Sequence, residues 1–216
     1  CGVEGPTDDP EIEKLRNRQV KNFHAITMLA AGAPMLLMGD EVRRTQRGNN
    51  NAYCQDSEIS WFDWRLLDRH PDVLRFIQQL ASFRLRRDAS EEAGLTLNEL
   101  LRRGQVQWHG VKLNRPDWGG PSHSLACTFR SIKGRFLIHL MINAYWEPLE
   151  FELPPAGESA ASAWHRWIDT ALDSPDDLCE WASAPAVTVA GYPVKPRSVV
   201  VLFAPLLKGP EDRLRG

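Results

Sequence analysis

Two segments of the chain carry apolar residues at the spacing of three and four that an α-helix requires. The first runs from about residue 10 to residue 31, where Asp9 can cap the helix and Pro10 suits its first turn. The second runs from about residue 71 to residue 87. The apolar positions at this spacing are Ile12, Leu15, Phe23, Ile26, Leu29 and Ala30 in the first helix and Val73, Leu74, Ile77, Leu80, Ala81 and Phe83 in the second.

A short run that is apolar on both faces, residues 34–39, follows the first helix after a tight turn. Continuous apolar runs of this length are typical of a parallel strand that is covered on both sides. Helix, turn and strand together predict an α/β unit.

Beyond Asp88 the chain changes to short segments of strand type. Clusters of glycine, proline and aspartate, such as NRPDWGGPS and LPPAGES, separate them. This pattern predicts an antiparallel β-sandwich. The predicted strands are residues 106–113, 124–130, 135–143, 149–153, 164–169, 187–190 and 198–203.

The change in pattern predicts two domains and a tail. Residues 1–88 form the α/β part, residues 89–207 form the sandwich, and the boundary falls between about 88 and 104. Residues 208–216 form a charged tail.

Composition excludes several classes of partner. The formal net charge of −2 and a pI near 6.3 give no electrostatic case for nucleic acid or an anionic membrane. No stretch approaches the roughly 18 apolar residues of a membrane span. The sequence therefore predicts no nucleic-acid and no membrane partner.

The four cysteines are widely scattered and include no C-x-x-C pair, so their spacing indicates neither a zinc site nor a redox motif. Four free thiols fit a reducing compartment, and we predict a cytoplasmic location. Nothing in the sequence requires a cofactor or a metal. The cysteines are Cys1, Cys54, Cys127 and Cys179.

The polar segment GDEVRRTQRGNNNAYCQD, residues 39–56, follows the predicted strand directly. A connection of about 30 residues between a strand and a helix is far longer than usual, and such loops are usually functional or disordered. In a parallel β/α barrel the loops after the C-terminal strand ends build the active site. The position of this segment favours a ligand-facing role.

The residue types in and after this segment suggest a carbohydrate ligand. Sugar hydroxyls need fixed amides and carboxylates as partners, and apolar sugar faces stack on aromatic rings. The candidate substrate-binding residues are Asp40, Glu41, Asn49, Asn50, Asn51, Tyr53, Trp61 and Trp64.

Each candidate also has a structural interpretation. The three asparagines can form a simple turn. Trp61 and Trp64 can belong to a core rather than to a platform. Asp40 and Glu41 can form ion pairs with neighbouring arginines, Arg43 or Arg44.

Asp40 and Glu41 are the only acidic pair at a predicted strand end. Glycoside hydrolysis usually needs two carboxylates that flank one bond. Adjacent residues on an extended strand point to opposite faces, so this pair does not form a self-contained hydrolase site.

The stretch CGVEGPTDDPEIEKLRNRQVKNFHAITMLAAGAPMLLMGDEVRRTQRGNNNAYCQDSEISWFDW closely resembles the late catalytic-domain segment of isoamylase-type glycogen debranching enzymes, in the α-amylase clan of glycoside hydrolases. Gly39-Asp40-Glu41, residues 48–55 and residues 61–64 stand at the spacing of that family. The likeness continues more weakly through the second helix into the β-part. One departure is Val42-Arg43, where the family more often has Phe-Gly.

The resemblance implies a mixed fold. Its first part is the C-terminal end of a (β/α)8 barrel, a TIM-barrel fragment with two helices and one strand, and its second part is an all-β antiparallel sandwich. The polar segment would be the eighth βα-loop of the barrel.

The resemblance also implies hydrolysis of α-1,6 branch linkages in glycogen or limit dextrins. The family uses an aspartate nucleophile, a glutamate acid/base and a second aspartate, and all three precede the matched segment. The last stands in an Asn-His-Asp motif, whereas no histidine here is followed by aspartate. We therefore expect the catalytic residues upstream of Cys1 and none within the chain.

The first functional hypothesis is a C-terminal portion of a debranching enzyme in glycogen catabolism, inactive alone. Its expected partners are a branched α-glucan and the upstream catalytic barrel, and an exposed barrel strand would favour self-association. The second hypothesis is a carbohydrate-binding or interaction module without catalysis. The β-part supplies the aromatic residues for it: Trp108, Trp118, Trp146, Trp164, Trp167 and Trp181.

Overall fold

A computed structural model of the protein describes residues 1–30, 32–89, 106–131, 135–157 and 162–206. The chain divides into two compact units, Cys1–Ala93 and Gly94–Gly216. Most of the predicted boundary region and the predicted tail 208–216 lie outside the described residues. No helix in the described ranges is long and apolar enough to cross a membrane.

Among its described residues, the first unit contains three α-helices: α1 (Pro10–Leu29), α2 (Leu66–Arg69) and α3 (Pro71–Ala89). The first and third confirm the two predicted helices. The Asp9 carboxylate accepts the N–H groups of Glu11 and Ile12 at 2.9 and 3.4 Å, so the predicted N-cap is present.

The interface of α1 with α3 includes a buried charge. Lys21 is 3% exposed, and its Nζ lies 2.7 Å from Asp72 Oδ2 at the start of α3. The Asn17 amide donates to the same oxygen at 2.6 Å. Phe23, two residues after the lysine, is 68% exposed. The buried face of α1 is therefore partly polar, and an apolar residue at helical spacing faces solvent.

Arg84 on α3 satisfies carbonyl groups at the C-terminal end of α1. Its Nη1 donates to the carbonyls of Met28 and Ala30 at 2.7 and 2.9 Å, and its Nη2 donates to Gly32 O. Helix-end carbonyls have no partner within their own helix. The arginine supplies one from the neighbouring helix.

The predicted strand at residues 34–39 is wrong. The segment forms no strand within the described residues. The four apolar side chains are 39–90% exposed, and a strand needs neighbours for its backbone groups. Those residues are Met35, Leu36, Leu37 and Met38.

The second unit is antiparallel throughout its described part. A six-stranded sheet has the order β1-β2-β3-β8-β5-β6, and β4 pairs with β7 in a small second sheet. This confirms a β-rich C-terminal part. The strands are β1 (Val106–His109), β2 (Ser124–Arg130), β3 (Phe136–Asn143), β4 (Leu149–Glu152), β5 (Trp164–Asp169), β6 (Ala186–Val187), β7 (Gly191–Val194) and β8 (Ser198–Pro205).

The small sheet covers one face of the large sheet. Phe151 on β4 and Val194 on β7 are fully buried in one cluster with side chains of β2, β3, β5 and β8. Strands β3 and β8 pair along their whole length, with Leu140 opposite Val201. The remaining cluster members are Ala126, Met141, Ala156, Trp164, Val200, Leu202 and Ala204.

A buried polar chain crosses the large sheet from β1 to β3. The Asn114 N–H donates to His109 Nδ1 at 2.9 Å, so the proton of this neutral ring is on Nε2, 3.0 Å from Thr128 Oγ1. Thr128 in turn lies 2.9 Å from His139 Nδ1. Burial lowers the pKa of His139 to about 3, and burial also lowers the pKa of His109. Both rings are neutral in the folded protein.

We predict that acid destabilises this unit. The unfolded chain protonates His139 below its ordinary pKa of 6.5, whereas the folded chain does not, so the free energy of unfolding falls as the pH drops from about 6.5 towards 3. The expected loss between pH 7 and pH 5 is about 2 kcal/mol. Urea unfolding followed by tryptophan fluorescence at several pH values measures it.

His139→Asn removes the titrating ring and keeps a hydrogen-bond acceptor, so the pH dependence should flatten. His123→Asn changes an exposed histidine and is the matched control, with an unchanged slope. An equally steep dependence in His139→Asn would contradict this assignment.

We also predict that Asp72→Asn destabilises the first unit by about 2 kcal/mol, because it removes the carboxylate opposite the buried Lys21 ammonium. Thermal unfolding followed by circular dichroism measures the change. Asp63→Asn is the control, since it removes a pair in which the Arg65 side chain is 89% exposed. The control should change stability little. Equal effects of both variants would disprove the importance of burial.

Candidate functional site

The polar segment begins with a short 3-10 turn, Asp40–Val42, that two left-handed residues flank. Gly39 precedes the turn with φ +103°, and Arg43 follows it with φ +58°. A Cβ on Gly39 would stand 2.5 Å from the Arg44 Cβ, so only glycine fits here without a shift.

The two acidic candidates hydrogen-bond to the backbone of this turn. Asp40 Oδ2 accepts the Leu37 N–H at 3.0 Å, and Glu41 Oε2 accepts the Gly39 N–H at 2.8 Å. Both side chains are half-buried. Their main contacts therefore stabilise the turn.

The neighbouring arginines have other partners. Arg43 Nη2 lies 2.8 Å from Glu13 Oε2 on α1, and this interaction lowers the pKa of the glutamate. Arg44 Nη2 donates to the carbonyls of Ile59 and Ser60 at 2.8 and 3.0 Å. The structure thus differs from the sequence interpretation in which these arginines pair with the acidic residues of the turn.

His24 connects the turn to α1. Its ring is buried, and Nε2 lies 3.3 Å from the Asp40 carbonyl. Burial lowers the pKa of His24, although the Asp40 carbonyl acts in the opposite direction. A neutral ring with its proton on Nε2 donates to this carbonyl, and this hydrogen bond connects the turn to α1.

The asparagines form consecutive local turns. Asn49 Oδ1 accepts the Asn51 N–H at 2.9 Å, and Asn51 Oδ1 accepts the Tyr53 N–H at 3.2 Å. Gln46 Nε2 also donates to the Asn49 carbonyl at 2.8 Å. Asn50 is exposed. These contacts agree with a turn role for the series and leave the Asn50 side chain facing solvent.

The three aromatic candidates are exposed. Tyr53 is 91% exposed, Trp61 56% and Trp64 73%, so the core interpretation of the tryptophans does not hold in this unit. Trp61 Nε1 donates to Asp56 Oδ1 at 2.7 Å. Phe62 packs edge-to-face on Trp64 with 4.8 Å between ring centroids. Specific contacts therefore orient both exposed indoles.

The sequence reasoning missed the residues that brace the segment. Arg44 and Ser60 connect its two ends, because the Ser60 N–H and hydroxyl also bond to backbone carbonyls of residues 52–57. A lone arginine and a lone serine carry no pattern that predicts such contacts. The described residues contain no group of three metal-ligating side chains.

The arrangement combines exposed aromatic faces with amide groups on a braced loop. It can hydrogen-bond and stack on a neutral polyol. The Asp40 and Glu41 carboxylates, in contrast, bond to backbone N–H groups of their own turn.

Comparison with known proteins shows what the chain is similar to. Residues 107–200 match the family model described as Isoamylase 1-3, C-terminal. The resemblance to isoamylase-type enzymes is confirmed. The matched range contains most of the β-strands of the second unit.

Relatives extend the likeness over most of the chain. The chain is 37% identical over 191 residues to the Glycogen operon protein GlgX homolog of Mycobacterium tuberculosis. This alignment covers 79% of this chain and 26% of the relative. It is 34% identical over 210 residues to Isoamylase 3, chloroplastic, of Oryza sativa subsp. japonica, covering 94% of this chain and 25% of the relative. The chain thus spans about a quarter of the length of these curated relatives.

Solved pullulanase structures share the fold. A mutant pullulanase from Paenibacillus barengoltzii, complexed with maltotetraose, matches with a TM-score of 0.59 and 24% identity over 94% of this chain and 26% of its own. The GBS pullulanase SAP, in complex with maltotetraose, matches with a TM-score of 0.62 and 15% identity over 93% and 29%.

We predict that Gly39→Ala loosens the turn at the start of the polar segment. The left-handed φ and the clash with Arg44 together cost about 2 kcal/mol or more. The N–H groups of Val42 and Arg44, which donate to the Gly39 carbonyl, should exchange faster with deuterium. Amide hydrogen exchange measures this.

Gly48→Ala is the matched control. Gly48 also has a positive φ, +81°, but a Cβ there meets nothing within 4 Å. The control should change exchange at residues 42 and 44 little. Equal acceleration in both variants would show that backbone strain, and not the approach of Arg44, controls the turn.

Proposed function

We propose that this chain is the C-terminal portion of an isoamylase-type glycogen debranching enzyme, a glycoside hydrolase that cleaves α-1,6-glucosidic branch linkages. The observation that carries the proposal is the isoamylase C-terminal match over residues 107–200. The first unit adds a braced loop that exposes aromatic rings. Residues 1–88 would be the C-terminal remnant of the catalytic (β/α)8 barrel, followed by the β-domain.

The polar loop would form part of the wall of the glucan site. Tyr53, Trp61 and Trp64 would contact apolar sugar faces. Asn50 offers an exposed amide to sugar hydroxyls, whereas Asn49 and Asn51 mainly fold the loop. Asp40 and Glu41 would shape the turn beneath these residues.

The catalytic carboxylates would come from the upstream barrel. A retaining glycosidase needs two carboxyl groups about 5 Å apart on either side of the scissile bond. Asp40 and Glu41 accept backbone N–H groups of their own turn instead. The chain alone would therefore bind glucan at most and hydrolyse none.

The exposed apolar residues 35–38 would be covered by the same barrel. In a complete barrel each strand pairs with two neighbours, which satisfies its backbone and buries its side chains. Without those neighbours the four side chains face water, and self-association through this segment is the expected alternative.

A second candidate function is carbohydrate binding by the β-domain. It is favoured by the exposure of Trp146, whereas Trp164 and Trp167 are buried in the unit. A cytoplasmic location stays a prediction, since the name of the rice relative places that protein in the chloroplast.

We predict that a chimera restores activity that the chain lacks. The part of the Mycobacterium tuberculosis GlgX homolog that precedes the matched residues, fused to this chain, should release reducing sugar from a branched limit dextrin. The 216-residue chain alone should release none. In the chimera, Trp64→Ala should lower kcat/KM about tenfold if the indole stacks on substrate.

Trp118→Ala in the same chimera is the control, because it removes an equally exposed indole from the β-domain. Its kcat/KM for a short limit dextrin should not change. Hydrolysis by the chain alone would place both catalytic groups within these residues and overturn the proposal.

A further inference from the structure

An aromatic platform stands at the turn between β3 and β4. The rings of Tyr145 and Trp146 lie 3.9 Å apart between centroids, with 34° between their planes. The ring of His123 flanks both, at 6.2 and 6.1 Å. Trp146 is 59% exposed. Three rings thus form one solvent-facing cluster on the β-domain.

A buried amide holds the platform rigid. Asn143 is 1% exposed, and its Nδ2 contacts the carbonyls of Glu147, Val194 and Lys195 at 2.9, 3.1 and 3.1 Å. Its Oδ1 accepts the Tyr145 N–H at 2.9 Å. The backbone that carries the exposed rings is therefore ordered before a ligand binds, which lowers the entropic cost of binding.

Two backbone hydrogen bonds also stabilise the base of the platform. The Ala144 N–H donates to the His123 carbonyl at 2.8 Å, and the Arg197 N–H donates to the Tyr145 carbonyl at 3.1 Å. These contacts fix the backbone from which the aromatic side chains project.

The chemistry of the cluster fits a neutral sugar. The His123 Nδ1 faces the Pro121 carbonyl, which can only accept, so the neutral form of the ring has its proton on Nδ1 and offers Nε2 as an acceptor for a hydroxyl. Aromatic faces and hydroxyl acceptors together are the groups that bind glucosyl rings.

We propose that the platform of His123, Tyr145 and Trp146 is a non-catalytic binding site for an α-glucan chain. This inference rests on the proposed function, in which the substrate is a branched polysaccharide. Such a polymer presents many chain ends at once. A second contact with the same polymer raises its effective concentration at a catalytic region without adding chemistry. The platform would hold the polymer rather than position the scissile bond.

The other exposed indole pair of the β-domain is a weaker candidate. Trp108 and Trp118 meet edge-to-face at 72°, with 5.6 Å between centroids. Two nearly perpendicular rings do not offer one continuous stacking surface. They therefore serve as the matched control for Trp146.

Affinity electrophoresis of the 216-residue chain in gels with and without glycogen tests the platform. The unmodified chain should be retarded by glycogen, and Trp146→Ala should weaken its affinity at least about fivefold. Trp146→Phe should keep part of the affinity, because an aromatic face remains. Trp118→Ala should bind like the unmodified chain. Thermal unfolding midpoints verify that each variant is folded.

The outcomes separate this inference from the proposed function. Loss of binding in Trp146→Ala, with Trp64→Ala unaffected, would support the platform. Loss of glycogen binding in Trp64→Ala alone would overturn the platform, whereas the binding role proposed for the polar loop would stand. No retardation of the folded, unmodified chain would also overturn the platform, whereas the chimera assay would still decide the proposed function.

Discussion

Irregular backbone must find hydrogen-bond partners, and in this protein side chains supply many of them. Arg84 bonds to the carbonyls at the end of α1, Arg44 bonds to those of Ile59 and Ser60, and Asn143 bonds to those of Val194 and Lys195. Each of these side chains connects segments that are far apart in the sequence. The shape of the loops therefore depends on a few polar residues more than on local turn propensity.

This constraint explains why the exposed aromatic rings have defined orientations. Trp61 bonds to Asp56 within the braced loop, and Trp146 stacks on Tyr145 above the buried asparagine. Large exposed rings on loose loops would lose conformational entropy on binding. Here much of that entropy is already lost on folding, which is the property that a binding surface for a weakly recognised polymer needs.

Much of the architecture could be predicted from the sequence, because local signals specify it. The N-cap at Asp9 and the turn chemistry between strands gave α1 and a β-rich second unit, and β2 and β5 have their predicted bounds. The bracing contacts could not be predicted, since they join residues such as Arg44 and Ser60 without any pattern. The exposure of Phe23 could not be predicted for a related reason. Helical spacing does not say which face of a helix packs against another element.

The strand predicted at residues 34–39 is not formed, and this shows what an apolar pattern can and cannot predict. The pattern encodes burial on two sides, but burial and pairing depend on neighbours that are not local in sequence. Among the described residues those neighbours are missing, and Met35 is 90% exposed. Under the proposed function the conflict disappears, because the segment carries the composition of a barrel strand and adopts that conformation only beside the strands that would flank it. The departure from the family at Arg43 fits the same view: a left-handed position that glycine favours is held here by an ion pair to Glu13, so local strain is offset by a contact within the unit itself.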